Sequence, residues 1–542
     1  MKKKLLSGLV LAILVVLIVP RFSYAINYFD EKLRVQGNIY NFSIFATNLH
    51  QDVSQYRNTH WGLFRTKGTI NFLAKVVDCP DNSLNFYGMF KWFHEATPDI
   101  DERYRESIVP KSRRDFQNPT YRTDDWINEL YADYYYGPWN IRAGKQVVFW
   151  SEVELIRTVD QINQLDLRYS TPGIDPWSEI KLGLWMLRGF YNSQLPGQLV
   201  FEGIWIPGDF QPLRMPLEGS YWGDPPGPPT PKHPPYYGEN GAVEAQWRKS
   251  KPQTNLAHSS FALRIRGNSE VSFFKTPYTL DWSLSYFHGM NNTPATRRKY
   301  LGSPDPSNLD PNTLNGYDNK LAYCRLAGDP LPELPGHRFW NYKFYSIFGA
   351  TCQTYVPSFG AVLRGEAAFN FRRPEITADP NVTTPDPSTA YSKPITGNAT
   401  RDIFDAGLTF DKPIRIPWLQ HEKMQWLGAN GILQTIVGYF GEWRLGDVNN
   451  IRRTFAYQQR VQTGFTLTSM TNFKNNEWML VFRALWNTRK WGYFTPAVAY
   501  TPGKHMRYTF GYMKFYAHDV WDFDAAHAKG KDCIFLNFGY EW

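Results

Sequence analysis

The chain has 542 residues, is 17% aromatic and 20% charged, and carries a formal net charge of +9. A mean hydropathy of −0.46 and the lack of any long apolar run after the N-terminus exclude a bundle of spanning helices, while the aromatic content is high for a soluble enzyme. A β-barrel accommodates both, because each strand needs only about 10 residues with every second one apolar and gathers its aromatic residues at the interfaces.

The N-terminus comes first. Lys2, Lys3 and Lys4 precede an apolar run over 5–19 and a small-residue site at Ser23-Tyr24-Ala25, the three regions of a secretory signal peptide. The run is short for a spanning helix, so residues 1–25 are expected to be removed and the exported protein to begin at Ile26. No Cys follows the run, so lipoprotein processing is not indicated. Cleavage removes Lys2, Lys3, Lys4 and Arg21, four of the positive charges behind the formal +9.

From there the period is two. Over 64–76, Phe64, Thr66, Gly68, Ile70, Phe72, Ala74 and Val76 share one face, with Arg65, Lys67, Thr69, Asn71, Leu73 and Lys75 on the other. A helix would bury neither set. Comparable segments lie near 33–46, 84–95, 126–136, 141–149, 179–191, 198–206, 258–267, 279–288, 340–355, 359–372, 401–411, 429–443, 459–472, 477–488, 492–501, 505–516 and 531–542. The expected fold is all-β, one transmembrane antiparallel barrel over 26–542 of about 18 strands, with 16 still open. The connections orient it. Long ones fall on one side, expected outside, and tight ones such as Gly137-Pro138-Trp139-Asn140 and Thr501-Pro502-Gly503-Lys504 on the periplasmic side. The exception is 412–428, a longer connection on the periplasmic side. Loop 207–257 contains the stretch Pro225-Pro226-Gly227-Pro228-Pro229, which cannot join a sheet because Pro donates no ladder hydrogen bond.

The segment Ile141-Arg142-Ala143-Gly144-Lys145-Gln146-Val147-Val148-Phe149-Trp150-Ser151-Glu152, then Asp160-Gln161-Ile162-Asn163-Gln164-Leu165-Asp166-Leu167, and Gly407-Leu408-Thr409-Phe410-Asp411-Lys412-Pro413 carry a family signal. With these motifs the chain resembles the Gram-negative outer-membrane proteins of domain of unknown function 1302. Ser151 stands where that family tends to have Gly, and Gln164 where Pro is usual. The resemblance implies a barrel in the outer membrane and leaves its activity open.

Near 150–178 the first motif opens the third outer-side loop, whose position resembles the inward-folded third loop of general porins. Glu152, Glu154, Arg157, Asp160, Asp166 and Arg168 stand there beside apolar residues, a composition that suits a segment lining a pore constriction. A plug whose charges only pair with the wall is the other reading. The inferred lumen face is basic, with Arg65, Lys67, Arg264, Arg266, Arg364, Arg372 and Arg483 among its residues and Asp133, Glu202, Asp281, Glu366, Asp405 and Glu442 opposing them. Such a lumen favours anionic solutes.

Catalytic and metal signals are absent. Cys79, Cys324, Cys352 and Cys533 form no CxxC or CxxCH motif, and the expected topology brings no pair together. The cluster His518, Asp519, Asp522, Asp524 and His527 matches no named metal site and reads as a solvated loop. No nucleophile motif such as GxSxG occurs, so neither an enzyme nor a cofactor is expected. The chain closes on Ile534, Leu536, Phe538, Tyr540 and Trp542 facing lipid, a terminal strand that resembles the signal read by the barrel-assembly machinery, with Phe538, Tyr540 and Trp542 as its aromatic positions. The expected function is a porin-like channel for small polar, anionic solutes. Its expected partners are outer-membrane lipid, lipopolysaccharide, the assembly machinery and a periplasmic protein, with no nucleic acid. A transporter of lipophilic molecules along Tyr131, Tyr135, Phe287, Tyr345 and Phe515, and a sheath for a cytochrome conduit, are the alternatives.

Overall fold

The computed structural model describes residues 26–28, 31–47, 60–79, 81–100, 126–153, 157–168, 170–171, 175, 177–214, 221–222, 254–273, 276–291, 295–296, 340–378, 395–421, 426–446, 460–488, 491–517 and 531–542. The expected signal peptide, Cys324 and the 518–527 cluster lie outside these residues.

The main sheet holds 19 strands, of which Ile26–Tyr28 is a short lead pairing and eighteen form the barrel. The first nine are β1 (Leu33–Ala46), β2 (His60–Cys79), β3 (Asn82–Glu95), β4 (Ile127–Tyr136), β5 (Trp139–Gln146), β6 (Leu184–Asn192), β7 (Val200–Ile206), β8 (Ser260–Phe273) and β9 (Thr276–Met290). The second nine are β10 (Phe344–Val356), β11 (Ala361–Ala378), β12 (Ile395–Arg415), β13 (Ile432–Arg444), β14 (Val461–Phe473), β15 (Trp478–Asn487), β16 (Trp491–Tyr500), β17 (Met506–Ala517) and β18 (Cys533–Glu541). Each pairs antiparallel with its chain neighbours, and β1 pairs with β18 from Asn38↔Glu541 to Ala46↔Cys533, which closes the barrel. Closure removes the unpaired edges that hydrocarbon would not tolerate. The expected 18 strands thus form in the expected order.

The seam is tight at its inner end. Gly37 and Trp542 exchange both backbone hydrogen bonds, at 3.1 and 2.9 Å. A Cβ on Gly37 would stand 2.4 Å from the Trp542 ring, so only glycine lets that indole lie flat across the seam.

Alternation sorts the wall. Outward residues such as Val76, Leu263, Leu284, Phe510 and Leu536 are at least half exposed, an apolar surface that continues around the sheet and fits lipid contact. Inward residues of the outer half, including Ile44, Leu63, Ile204, Ile347 and Ile403, are almost fully buried instead. In a wall one strand thick, such burial requires chain inside the barrel. The inner connection after β12 is the longest on its side, running over 416–431 with a 3-10 turn at Pro417–Gln420.

One face assignment changes. The β11–β12 register shifts between Asn370 and Arg373, and Arg372 sits on this bulge with φ +54° and an exposed side chain. A bulge moves later residues to the opposite face. Arg373 therefore takes the lumen place expected of Arg372 and reaches Glu442 at 3.3 Å and Asp405 at 3.9 Å. Period-two reading carries no signal for an inserted residue.

Among the described residues Cys79 and Cys352 are exposed and Cys533 is buried, all as free thiols.

Candidate constriction site in the lumen

Between β5 and β6 the chain turns inward. Val148, Trp150, Val159 and Ile162 pack against Leu184, Met186, Ile204, Ile206, Ala262, Phe287, Tyr345, Ile347 and Ala368, which face inward from β6 to β11. Fit depends on a gap in the wall: a Cβ on Gly349 would meet Val159 Cγ1 at 2.8 Å. This segment, 147–183, is called the plug below.

Polar contacts pin it at three places. Glu366, buried on β11, accepts from Ser151 Oγ at 2.8 Å, from the Glu152 amide at 3.3 Å and from the Thr158 amide at 3.0 Å. Glu202 on β7 accepts from the Trp150 indole at 3.1 and 3.2 Å and pairs with Arg188 at 2.7 Å. Asn163 accepts from the Val148 amide at 2.7 Å and donates to the Gln146 and Leu182 carbonyls at 3.0 and 2.8 Å. Buried backbone donors and acceptors need such partners, which is how an irregular segment can occupy a lumen.

The expected constriction residues take different places. Glu152 is 39% exposed and pairs with Arg264 at 3.3 Å. Arg157 donates to the Asp160 and Asn163 carbonyls, both at 2.6 Å, and its burial lowers the guanidinium pKa. Asp160 pairs with Lys181, which also donates to the Val148 carbonyl at 2.9 Å. Burial pushes the Lys181 ammonium down to about 8 against the opposing pull of Asp160. Asp166 pairs with Arg168 at 2.7 Å and with Arg214 at 3.3 Å. Glu154 lies outside the described residues.

On the wall, Arg65 pairs with Glu95 at 3.1 Å with both side chains 1% exposed. Lys67 reaches Asp175 at 2.5 Å and Glu179 at 3.5 Å, tying β2 to the plug. Arg364 contacts Gln353 at 2.9 Å and Asp411 at 3.3 Å. Arg483 lies between Thr468 and Thr495 in register, and Arg266 is exposed beside the Arg264 site. At the terminal strand, Phe538 lies near Tyr508 at 5.2 Å, and Tyr540 lies between His505 and Trp542 at 6.0 and 6.2 Å.

Sequence reading missed a basic stripe. Arg142 on β5 and Arg188 on β6 are direct cross-strand neighbours on the lumen face, and Glu202 on β7 opposes Arg264 on β8. Asp133 balances part of it by pairing with Arg142 at 2.6 Å. The alternation of 139–146 and 184–192 marks both arginines as inward, so the signal was available. The inward seat of Tyr221 and Trp222 had no such signal, because a loop has no period.

A closed transmembrane-type β-barrel with an inward plug defines the class. The chain belongs to the family described as protein of unknown function (DUF1302), whose profile matches residues 76–501. No curated protein matches it. Among solved structures it is similar to Acinetobacter baumannii OccAB3 at 10% identity, covering 94% of this chain and 99% of that one with a TM-score of 0.42. Pseudomonas aeruginosa OpdK, solved with vanillate, is similar at 7% identity, covering 94% and 98% with a TM-score of 0.40. Pseudomonas aeruginosa OccK11 (OpdR) is similar at 8% identity, covering 94% and 96% with a TM-score of 0.39.

Proposed function

We propose that this protein is a passive channel of the bacterial outer membrane for small polar, anionic solutes. The observation that carries the reading is the stripe of Arg142, Arg188, Arg264 and Arg266 on the lumen face, with Asp133 opposite Arg142, Glu202 opposite Arg264 and bonded to Arg188, and Glu152 of the plug on Arg264. Like charges directly opposite on one face of a sheet are destabilising. A lumen serving only to hold a plug would gain from neutral residues at Arg142 and Arg188. A channel gains from keeping them, because fixed cations inside a low-dielectric wall concentrate anions. The plug meets this stripe through Trp150 on Glu202 and Glu152 on Arg264, and Glu152 is the member of the expected constriction set with most solvent access among the described residues.

The aromatic residues of the lipophilic alternative do not share one path. Phe287 and Tyr345 are buried against the plug, Phe515 belongs to a separate cluster, and Tyr131 lies against Tyr87 at 5.1 Å.

Purified protein in planar bilayers under a potassium chloride gradient should give discrete steps and a reversal potential on the anion-selective side. Arg142→Gln with Arg188→Gln should shift that potential toward zero. A folded barrel that never conducts, or one selective for cations, defeats the reading.

A further inference from the structure

The outward face of the seam strands is paved with rings that lie flat. Trp542 crosses Gly37, and on the next strands Trp92 lies over Gly68 and Phe72 over Gly88, where an added Cβ would come within 1.9 and 2.1 Å of the rings. The two glycines let side chains of β3 and β2 fold down onto the wall instead of standing off it, which leaves this arc low in relief. A polar row crosses the same arc. Phe42 and Ile44 point into the lumen, so Asn41 and Ser43 point outward. Asn41 stands opposite Phe538 on β18 and Thr66 on β2, and Thr66 stands opposite His94 on β3, which is exposed. Asn41 Nδ2 donates to Thr66 Oγ1 at 3.1 Å, and Ser43 Oγ donates to Asn41 Oδ1 at 3.0 Å. The amide sits between two aromatic levels of the wall, with Trp542 at Gly37 on its inner side and the Phe45–Trp61 ring pair on its outer side. Around it Ile70, Trp92 and Leu536 are all more than a third exposed. Among the described residues its contacts use one of its two N–H groups and one lone pair of its oxygen. Hydrocarbon can meet neither of the others, whereas a second flat protein surface could pack on the rings and reach both.

We propose that this face, over β18, β1, β2 and β3, is where two copies of the protein associate side by side in the membrane, with the Asn41 amides facing each other across a two-fold axis. Both copies insert in the same sense, so the axis runs along the membrane normal and places β1 against β1. The occupant follows from the chemistry of the row. An amide carries donor and acceptor together, so like can pair with like, and Asn41, Ser43 and Thr66 are uncharged, so their self-contact meets no repulsion. Side-chain hydrogen bonds of this kind contribute to the association of membrane segments. The proposal is independent of the channel reading.

The test uses the full-length protein in its membrane, with Cys79→Ser, Cys324→Ser, Cys352→Ala and Cys533→Ala as background. Asn41→Cys, oxidised with copper phenanthroline, should give a product of twice the monomer mass, because residues that face each other across a two-fold axis come within disulfide reach. Leu284→Cys, equally open to lipid on β9 and away from the seam, should not. In detergent, sedimentation of the parent protein should give a dimer. Asn41→Leu should raise its dissociation constant about tenfold, the scale of one or two side-chain hydrogen bonds within a membrane. Heat-dependent gel mobility shows that each variant is a folded barrel. If Asn41→Leu does not fold, Thr66→Val gives the same comparison. Equal cross-linking of Asn41→Cys and Leu284→Cys, a cross-linked product of any other mass, or a dissociation constant unchanged by the substitution overturns the proposal. So does a monomeric parent, which would leave lipid alone on this face.

Discussion

Replacing Glu366 with Ala should release the plug while leaving the barrel closed. The carboxylate holds three donors of the plug, and the Thr158 amide is buried with its residue. Leaving a buried donor without its acceptor costs about 1–3 kcal/mol each, although the 3.3 Å contact to Glu152 is near the upper limit of a useful bond. The three share one carboxylate, two on Oε2 and one on Oε1, and do not add fully, so the docked state should lose about 3–5 kcal/mol. Each 1.4 kcal/mol is about tenfold, so undocked plugs should become more populated by about a hundredfold or more. Trypsin added to the outer side of proteoliposomes reads this directly, because Arg157 and Arg168 are both buried or half-buried when the plug is docked. Glu366→Ala should be cut at these sites far faster than the parent, and its open-channel current should be noisier. Glu366→Gln, which exchanges one acceptor for a donor, should fall between. If Glu366→Ala resists trypsin as well as the parent and conducts with the same amplitude and noise, the pinning argument is wrong.

Deleting 155–168 should enlarge the unitary conductance, because it removes Val159 and Ile162 from the lumen; an unchanged amplitude would show that the narrowest point lies elsewhere. Arg373→Gln should weaken anion preference roughly twofold by stripping Asp405 and Glu442 of a cation, while Arg372→Gln should leave it alone; reversal potentials compare the two. Lys181 gives a pH dependence. An unfolded lysine titrates at about 10.4 and the folded group at about 8, so between these values the unfolded chain binds more protons and this group's contribution to stability rises with pH. Unfolding midpoints measured from about pH 8 to about pH 10 should rise by this contribution, and Lys181→Met should lack it.

The strands were legible because the physics that makes them is local. Alternation along 64–76 or 531–542 is fixed by which side of the wall is hydrocarbon, and neither needs knowledge of a partner strand. Faces derived from alternation hold until a residue is inserted, which is why Arg364 lies on the lumen face as expected and Arg372 does not. Gly62 at the β1–β2 shift is a second such insertion, and it marks the place where Tyr221 docks.

The lumen contents were legible only in part, and the reason is the same locality. A mixture of Glu152, Arg157, Asp160, Asp166 and Arg168 with apolar neighbours signals burial near a wall, since charges in such company need partners. It does not say which partners. Asp160 finds Lys181 and Asp166 finds Arg168 within the same loop, Glu152 finds Arg264 on β8, and the plug's main anchor is a wall carboxylate, Glu366, that accepts from backbone. Backbone donors are invisible in a sequence, so a residue whose work is to bind them looks like any other lumen acid. Charges consumed by pairing within the plug contribute little to the field that a solute meets. On the proposed channel reading, selectivity falls to the wall, where Asp133 and Glu202 pair with Arg142 and Arg188 and the register sets the exposed guanidinium of Arg266 on the same face beyond them.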